Sequence, residues 1–218
     1  MQQPAVPSDL TTSRIEAFSD GVFAIAITLL IVELKVPDVR SNAPDALARA
    51  LLRLWPSYFG YVFSFVIIGI YWVNHHFMFG LYERSNHVFV LLNLLFLMSI
   101  SFLPFPTAVL AAYIADEHHR HTAIRLYAFA LFLPALTWFF TLVYASRDRR
   151  LLIPGLEDGY IDHLTRKYGG SVALYLLAVL LTLWNDLAGL ALCVVLTLLY
   201  LLPTRRPTLR SDLRPTGE

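Results

Sequence analysis

Six stretches of this sequence are too apolar, and too poor in charge, to form the surface of a protein in water; they lie at about residues 14–35, 55–79, 87–113, 122–145, 170–184 and 187–202. A run of about 20 such residues matches the roughly 30 Å of hydrocarbon in a bilayer. No water is at hand there to bond backbone N–H and C=O groups, so a crossing segment closes its hydrogen bonds within itself as a helix. Hydrophobic residues make up 57% of the 218, charged residues 15%, and the mean hydropathy is +0.58. Soluble domains carry about a quarter charged residues. The expected fold class is therefore an all-α integral membrane protein with six transmembrane helices and the lipid bilayer as its solvent.

Several function classes drop out on composition. The net charge of +1 gathers into no basic face, so nucleic acid is not an expected partner. The single cysteine, Cys193, excludes an intrachain disulfide and leaves only intermolecular pairing or metal binding open to it. No H-E-x-x-H, G-x-S-x-G or phosphate-binding loop is present, which speaks against catalysis, and no cofactor or resident metal is expected. No basic n-region precedes the first apolar run, so that run is expected to stay in the mature chain.

Residues 1–13 and 203–218 are expected to be tails flanking one domain, 14–202, with no internal repeat. Pro37 ends the first span. Residues 38–54 begin as loop and then alternate Leu47, Leu51 and Leu54 with Arg49 and Arg53, the pattern of a short interfacial helix. Trp55 and Tyr58 fit an aromatic belt. In the third span, Asn93, Ser99 and Ser101 are candidates for hydrogen bonds between helices, and Pro104 with Pro106 should bend or break its second half. The cluster Asp116-Glu117-His118-His119-Arg120-His121 reads as a hydrated hairpin tip, since no ligand spacing is visible in it. The stretch from Ser146 to Tyr168 reads as a hydrated linker, with Leu151, Leu152, Ile153, Leu156 and Ile161 resting on headgroups. Asn185-Asp186 turns the chain and caps the sixth helix. Spans five and six, nearly free of internal polar atoms, read as lipid-facing scaffold. With the N-terminus inside, 11 of the 17 lysines and arginines fall on the cytoplasmic side, so both termini are expected there.

The first span departs from a plain anchor. Arg14, Glu16, Ser19 and Asp20 crowd its opening turns, and polar groups at membrane depth are costly enough to mark function. At 100° per residue, Ile25, Thr28, Leu29 and Val32 share about a third of the circumference, continued by Gly21 and Phe18, while Asp20 lies on the other side. Glu16 and Asp20 are like charges at i,i+4, so Asp20 should find its partner on another helix. The alternative places Arg14 and Glu16 in water, with Asp20 favoured there by the helix dipole. Antiparallel packing brings the start of span one beside the end of span two, so Trp72, Asn74, His75 or His76 is expected to meet Asp20 or Ser19. Adjacent histidines diverge by about 100° and do not make a helical metal pair.

Arg14-x-x-x-Phe18-Ser19-Asp20, opening a branched apolar helix, resembles the R-x-x-x-F-S-D signature of the transmembrane protein 175 potassium channels, and the six-span length resembles their prokaryotic members. The similarity runs from Arg14 to Leu202 and takes in Trp72-Val73-Asn74-His75-His76, Asn93 and Pro104-Phe105. The resemblance implies a non-canonical potassium channel fold: a homotetramer in a prokaryotic plasma membrane, with the first helix of each subunit lining the pore. Carried over by position, Ile25 is the narrowest ring, Leu29 and Val32 stand above it, and Thr28 supplies hydroxyls. Arg14, Phe18, Ser19 and Asp20 tie the inner end of that helix to its neighbours. The chain has no T-V-G-Y-G loop, so discrimination would rest on an apolar ring that passes partly dehydrated K⁺ more readily than Na⁺. A proton-conducting or proton-coupled transporter, using Asp20 with His75 or His76 as a relay, is the alternative.

Overall fold

The computed structural model of the protein describes residues 12–39 and 43–200. The expected arginine-rich tail, most of the N-terminal tail and Arg40 of the orientation count lie outside these residues. The described chain is all helical: α1 (Thr12–Val32), α2 (Ala46–Arg53), α3 (Trp55–Phe79), α4 (His87–Phe102), α5 (Pro104–Tyr113), α6 (Arg120–Ser146), α7 (Asp158–Leu181) and α8 (Asp186–Tyr200), with a 3₁₀ turn at Arg147–Arg149. Four described stretches are long and apolar enough to cross a membrane: Thr12–Val32, Trp55–Phe79, His87–Tyr113 and Arg120–Arg149. α7 is long but carries charge in its first half, and α8 has 15 residues.

Local chemistry sets the boundaries. Pro56 sits in the first turn of α3, where its missing N–H is no loss. Asn86 caps α4 by accepting the Phe89 N–H at 2.9 Å, and its amide also donates to the Tyr144 hydroxyl of α6 at 3.0 Å. Pro104 ends α4 and starts α5, so the third apolar run breaks where the prolines stand. Asn185 accepts the Ala188 N–H at 3.0 Å and opens α8.

α6 is the hub, with α4, α5, α7 and α8 all packed on it. Its buried alanines, among them Ala123, Ala128, Ala130, Ala135 and Ala145, let neighbouring backbones come close. A hydroxyl cluster helps lock the hub: Ser64 of α3 meets Thr107 of α5 at 2.6 Å and Tyr127 of α6 at 3.1 Å. α1 stands at the edge, against α3 and α4 with a lesser contact to α5.

Three expectations need correction. The linker before Tyr168 is mostly helix and core: α7 begins at Asp158, and Leu151, Leu152 and Leu156 are buried rather than laid on headgroups. Its extended part pairs with the α3–α4 turn through an antiparallel bridge between Tyr82 and Leu152, with Glu83 N donating to Leu151 O at 2.9 Å and Ile153 N to Leu81 O at 3.0 Å. Just before it, Asp148 and Arg149 take positive φ (55° and 52°), and the Arg149 guanidinium donates to the Asp158 carboxylate and the Leu156 carbonyl. Secondly, α7 and α8 are not poor in internal polar atoms, since Tyr168, Ser171, Tyr175, Thr182 and Thr197 are buried there. Thirdly, Ser99 and Ser101 do not reach other helices; their hydroxyls donate back to Phe96 O and Met98 O at 2.6 and 3.0 Å. Cys193 is free and buried, out of reach of another chain's thiol.

The α7–α8 crossing is close. A Cβ added at Gly189 would lie 2.4 Å from Thr182 Cγ2 and 2.9 Å from both Ala178 O and Thr182 N. Two of those atoms are backbone, so relief requires the helices to move apart. Gly189→Ala is expected to cost about 1–3 kcal/mol, read as a lowered melting temperature of the detergent-solubilised protein.

Candidate functional site

α1 divides lengthwise. Ile15, Ser19, Phe23, Ala26 and Leu30 recur at helical spacing and are buried against the subunit. The opposite face is uncovered: Phe18, Ile25, Leu29 and Val32 are 56%, 61%, 46% and 68% exposed. Thr28 lies on the same face, and its hydroxyl proton is shared between Ala24 O and Ile25 O, each at 2.9 Å. The residues singled out from sequence as pore-lining are thus brought onto one face.

The polar start of α1 is held by a ladder. On the α3 side, Trp72 Nε1 donates to Asp20 Oδ1 at 2.9 Å, and His76 Nδ1 meets Glu16 Oε1 at 2.7 Å. Each pair of residue numbers sums to 92, the register of two antiparallel helices, and both partners step by four, the same-face spacing of a helix. The like charges of Glu16 and Asp20 are each given a separate N–H. Exposed pairs of this kind contribute little to stability, and the Glu16–His76 contact is ionic only when His76 is protonated.

The buried half of the network is a directed chain between three helices. His75 Nε2 donates to Asn93 Oδ1 at 3.1 Å, Asn93 Nδ2 donates to Ser19 Oγ at 3.0 Å, and Ser19 donates to Ile15 O at 2.8 Å. Because the amide oxygen faces His75, the imidazole proton resides on Nε2; Nδ1 has no hydrogen-bond partner among the described residues. The ring is boxed by Phe79, Phe96, Phe23 and Trp138, with centroids 4.2, 5.9, 5.5 and 5.8 Å away. Ser19, His75 and Asn93 are all buried, where an unpaired polar group costs about 1–3 kcal/mol.

Three residues expected in this network stand apart from it, the first being Phe18, which lies on the uncovered face of α1 instead of tying it to its neighbours. Asn74 faces the other side of α3, donating to Ile70 O at 2.8 Å and accepting from Tyr168 of α7 at 3.2 Å. Arg14 is exposed and bonds to no described residue; it borders a cavity of about 190 Å³ between α1 and α4, with Phe18, Val90 and Leu94. Asn93 carries more of the site than its sequence suggested. Its signal was that it is the lone amide within the apolar run of α4, at the depth where Ser19 needs a donor. The Ser64–Thr107–Tyr127 cluster had no sequence signal, because none of the three belongs to a spaced motif.

At the 116–121 tip, the Asp116 carboxylate accepts from His119 Nδ1 at 2.7 Å and from His118 N at 2.9 Å. These bonds, the His119 one foremost, hold its pKa below the ordinary 3.8. Among the described residues, no group of three metal-ligating side chains forms there or elsewhere.

These helices and this network define a multi-pass helical membrane protein. The family model for the endosomal/lysosomal potassium channel TMEM175 matches residues 14–104. A potassium channel of Chamaesiphon minutus is 40% identical over 196 residues, covering 90% of this chain and 96% of that protein. One from Streptomyces collinus is 48% identical over 148 residues, covering 66% and 71%. The crystal structure of a lysosomal potassium-selective channel TMEM175 homolog from Chamaesiphon minutus superposes with a TM-score of 0.78 at 39% identity, over 87% of this chain and 96% of that one. The endosomal/lysosomal proton channel TMEM175 of Gallus gallus is 33% identical over 161 residues, which is 71% of this chain but 32% of that longer protein. The chain belongs to the TMEM175 family. It is therefore a membrane protein of an ion-channel family and not an enzyme.

Burial separates the two halves of the ladder. Asn93→Ala orphans His75 Nε2, removes the bond that Ser19 Oγ accepts and opens a void, an expected loss of about 2–4 kcal/mol, whereas Trp72→Phe, at a more exposed bond, should cost about 1 kcal/mol. Thermal melts of the two variants in one detergent check the order. At the 116–121 tip, a carboxylate with a depressed pKa stabilises the fold above its unfolded value and loses that contribution as pH falls through the folded one. The support from Asp116 is accordingly constant near neutral pH and lost only in strong acid. His119→Ala should move the Asp116 titration, followed by NMR, back toward 3.8.

Proposed function

We propose that the chain is one subunit of a homotetrameric cation channel, modestly selective for K⁺ over Na⁺, in a prokaryotic plasma membrane. In this reading α7 and α8 are the fifth and sixth crossings, residues 14–202 form the channel domain between tails 1–13 and 203–218, and both termini are cytoplasmic. Four copies of α1 surround the axis, with Ile25 as the narrowest ring, Leu29 and Val32 beyond it, and Thr28 presenting oxygens to a partly dehydrated ion. Glu16, Ser19 and Asp20, with Trp72, His75, His76 and Asn93, set the position of α1 and take no part in conduction.

The observation that carries this reading is the division of α1. All the helix's buried polar groups are satisfied within the subunit, while the apolar stripe beyond the motif is left bare. A helix anchored on one side and bare on the other suits a closed ring of identical copies. An apolar ring gates by dewetting, and permeation through it favours the ion that gives up water more cheaply. Names of relatives agree on potassium in the bacterial proteins.

A second reading, proton passage, draws support from the vertebrate relatives named proton channels and from the acid–imidazole pair Glu16–His76 beside Asp20. Proton flux that persists in liposomes without K⁺ would favour it.

Liposome flux tests the first reading. Ile25→Asn is expected to raise K⁺ conduction and erode the preference over Na⁺, by about an order of magnitude if about 1.4 kcal/mol of barrier is removed. Thr28→Ala should change selectivity less. Unchanged flux in both variants would place the pathway elsewhere.

A further inference from the structure

The two ends of α1 are held very differently. At its start, side chains of α3 and α4 bond to it directly. At its far end a cavity of about 250 Å³ separates it from α3 and α5, lined by Leu30, Glu33, Leu34 and Lys35 on one side, and Leu54, Tyr61 and Ala111 among those opposite. The cavity lies behind the buried stripe of α1, since Leu30 belongs with Ser19 and Phe23. A neighbouring copy seated on the Ile25 face would not reach it.

We propose that this cavity is a phospholipid site: the headgroup-proximal part of an acyl chain enters between α1, α3 and α5, and a zwitterionic headgroup sits at the rim on Glu33 and Lys35. The floor is apolar, with Leu30 buried beside the methyl-bearing Thr107. The rim residues Glu33 and Lys35 are exposed, opposite in charge, and paired with no described residue. An ammonium and a phosphate on one headgroup complement both, whereas a purely anionic head meets the Glu33 carboxylate. The level is also right. Leu54 of the lining directly precedes Trp55 and Tyr58, exposed aromatics of the kind that sit at headgroup depth, and the amphipathic α2, with no buried residue, ends one residue earlier. At 250 Å³ the space is smaller than a site for a whole drug-sized ligand, which begins at about 300 Å³, and suits part of a chain. Lipid then does for the far end of α1 what Asn93 and Trp72 do for its start.

The test uses the full chain in liposomes containing phosphatidylethanolamine with a diazirine in the headgroup-proximal part of one acyl chain, irradiated and mapped by peptide mass spectrometry. Adducts are expected on 30–34 and 107–112. Ala111→Phe, which fills the cavity, should reduce them about tenfold, with labelling of the exposed Leu198 and Leu199 on α8 unchanged. The double variant Glu33→Gln, Lys35→Gln changes only exposed side chains and should reduce the same adducts; a phosphatidylglycerol probe should give fewer of them than the ethanolamine probe. Labelling at the cavity no greater than on α8, labelling insensitive to Ala111→Phe and to the rim variant, or equal labelling by both headgroups would overturn the proposal. So would disulfide crosslinking of Ala112→Cys between subunits, which would put a second copy in the space. The readout is binding, so it stands or falls separately from conduction.

Discussion

A polar side chain buried at membrane depth has no water to fall back on, and the arrangement of α1 follows from that. Ser19 must meet Asn93, and Asn93 must meet His75, which fixes the rotation of α1 about its own axis. Turned by one residue, about 100°, the helix would press Phe18 or Asp20 against the amide and leave Ser19 elsewhere. The antiparallel pairs Glu16–His76 and Asp20–Trp72 fix its height in the same way, since a slip of one turn would set Asp20 opposite His76 and strand Glu16. Which face of α1 stays bare is decided by these bonds at the other side of the helix.

The fold places rigidity accordingly. α6 gathers four helices around small residues and a hydroxyl cluster, and the α3–α4 turn is stitched to the strand-like segment before α7. α1 shares few of these restraints and depends on a few directional bonds near one end. A helix so attached has a definite orientation without being embedded.

What could be read from sequence followed the physics of each segment. The long apolar runs and the prolines at 56 and 104 located the start of α3 and the end of α4 closely, because helix length in lipid and proline geometry are local constraints, whereas α1 stops at Val32, five residues before the Pro37 expected to end it. The α1 stripe was legible because it needs only helical periodicity, and a partner for Asp20 on α3 because antiparallel neighbours meet end to end. Harder was α7. The stretch up to Tyr168 reads as a hydrated linker, yet Tyr160, Leu164, Tyr168, Ser171 and Tyr175 form one buried helical stripe that runs through it into the fifth span. Asn74 was misplaced because adjacent positions on a helix diverge, and nothing local says which of them faces α1. Asn93 was undervalued for a related reason: its importance lies in two partners 74 and 18 residues away.

Thr28 carries a consequence of its own. With its single proton committed to the backbone of the preceding turn, the hydroxyl has nothing left to donate, and toward the open side of α1 it shows lone pairs alone. Such an oxygen is a one-sided electrostatic reader: it welcomes a positive neighbour and has no hydrogen with which to greet a chloride.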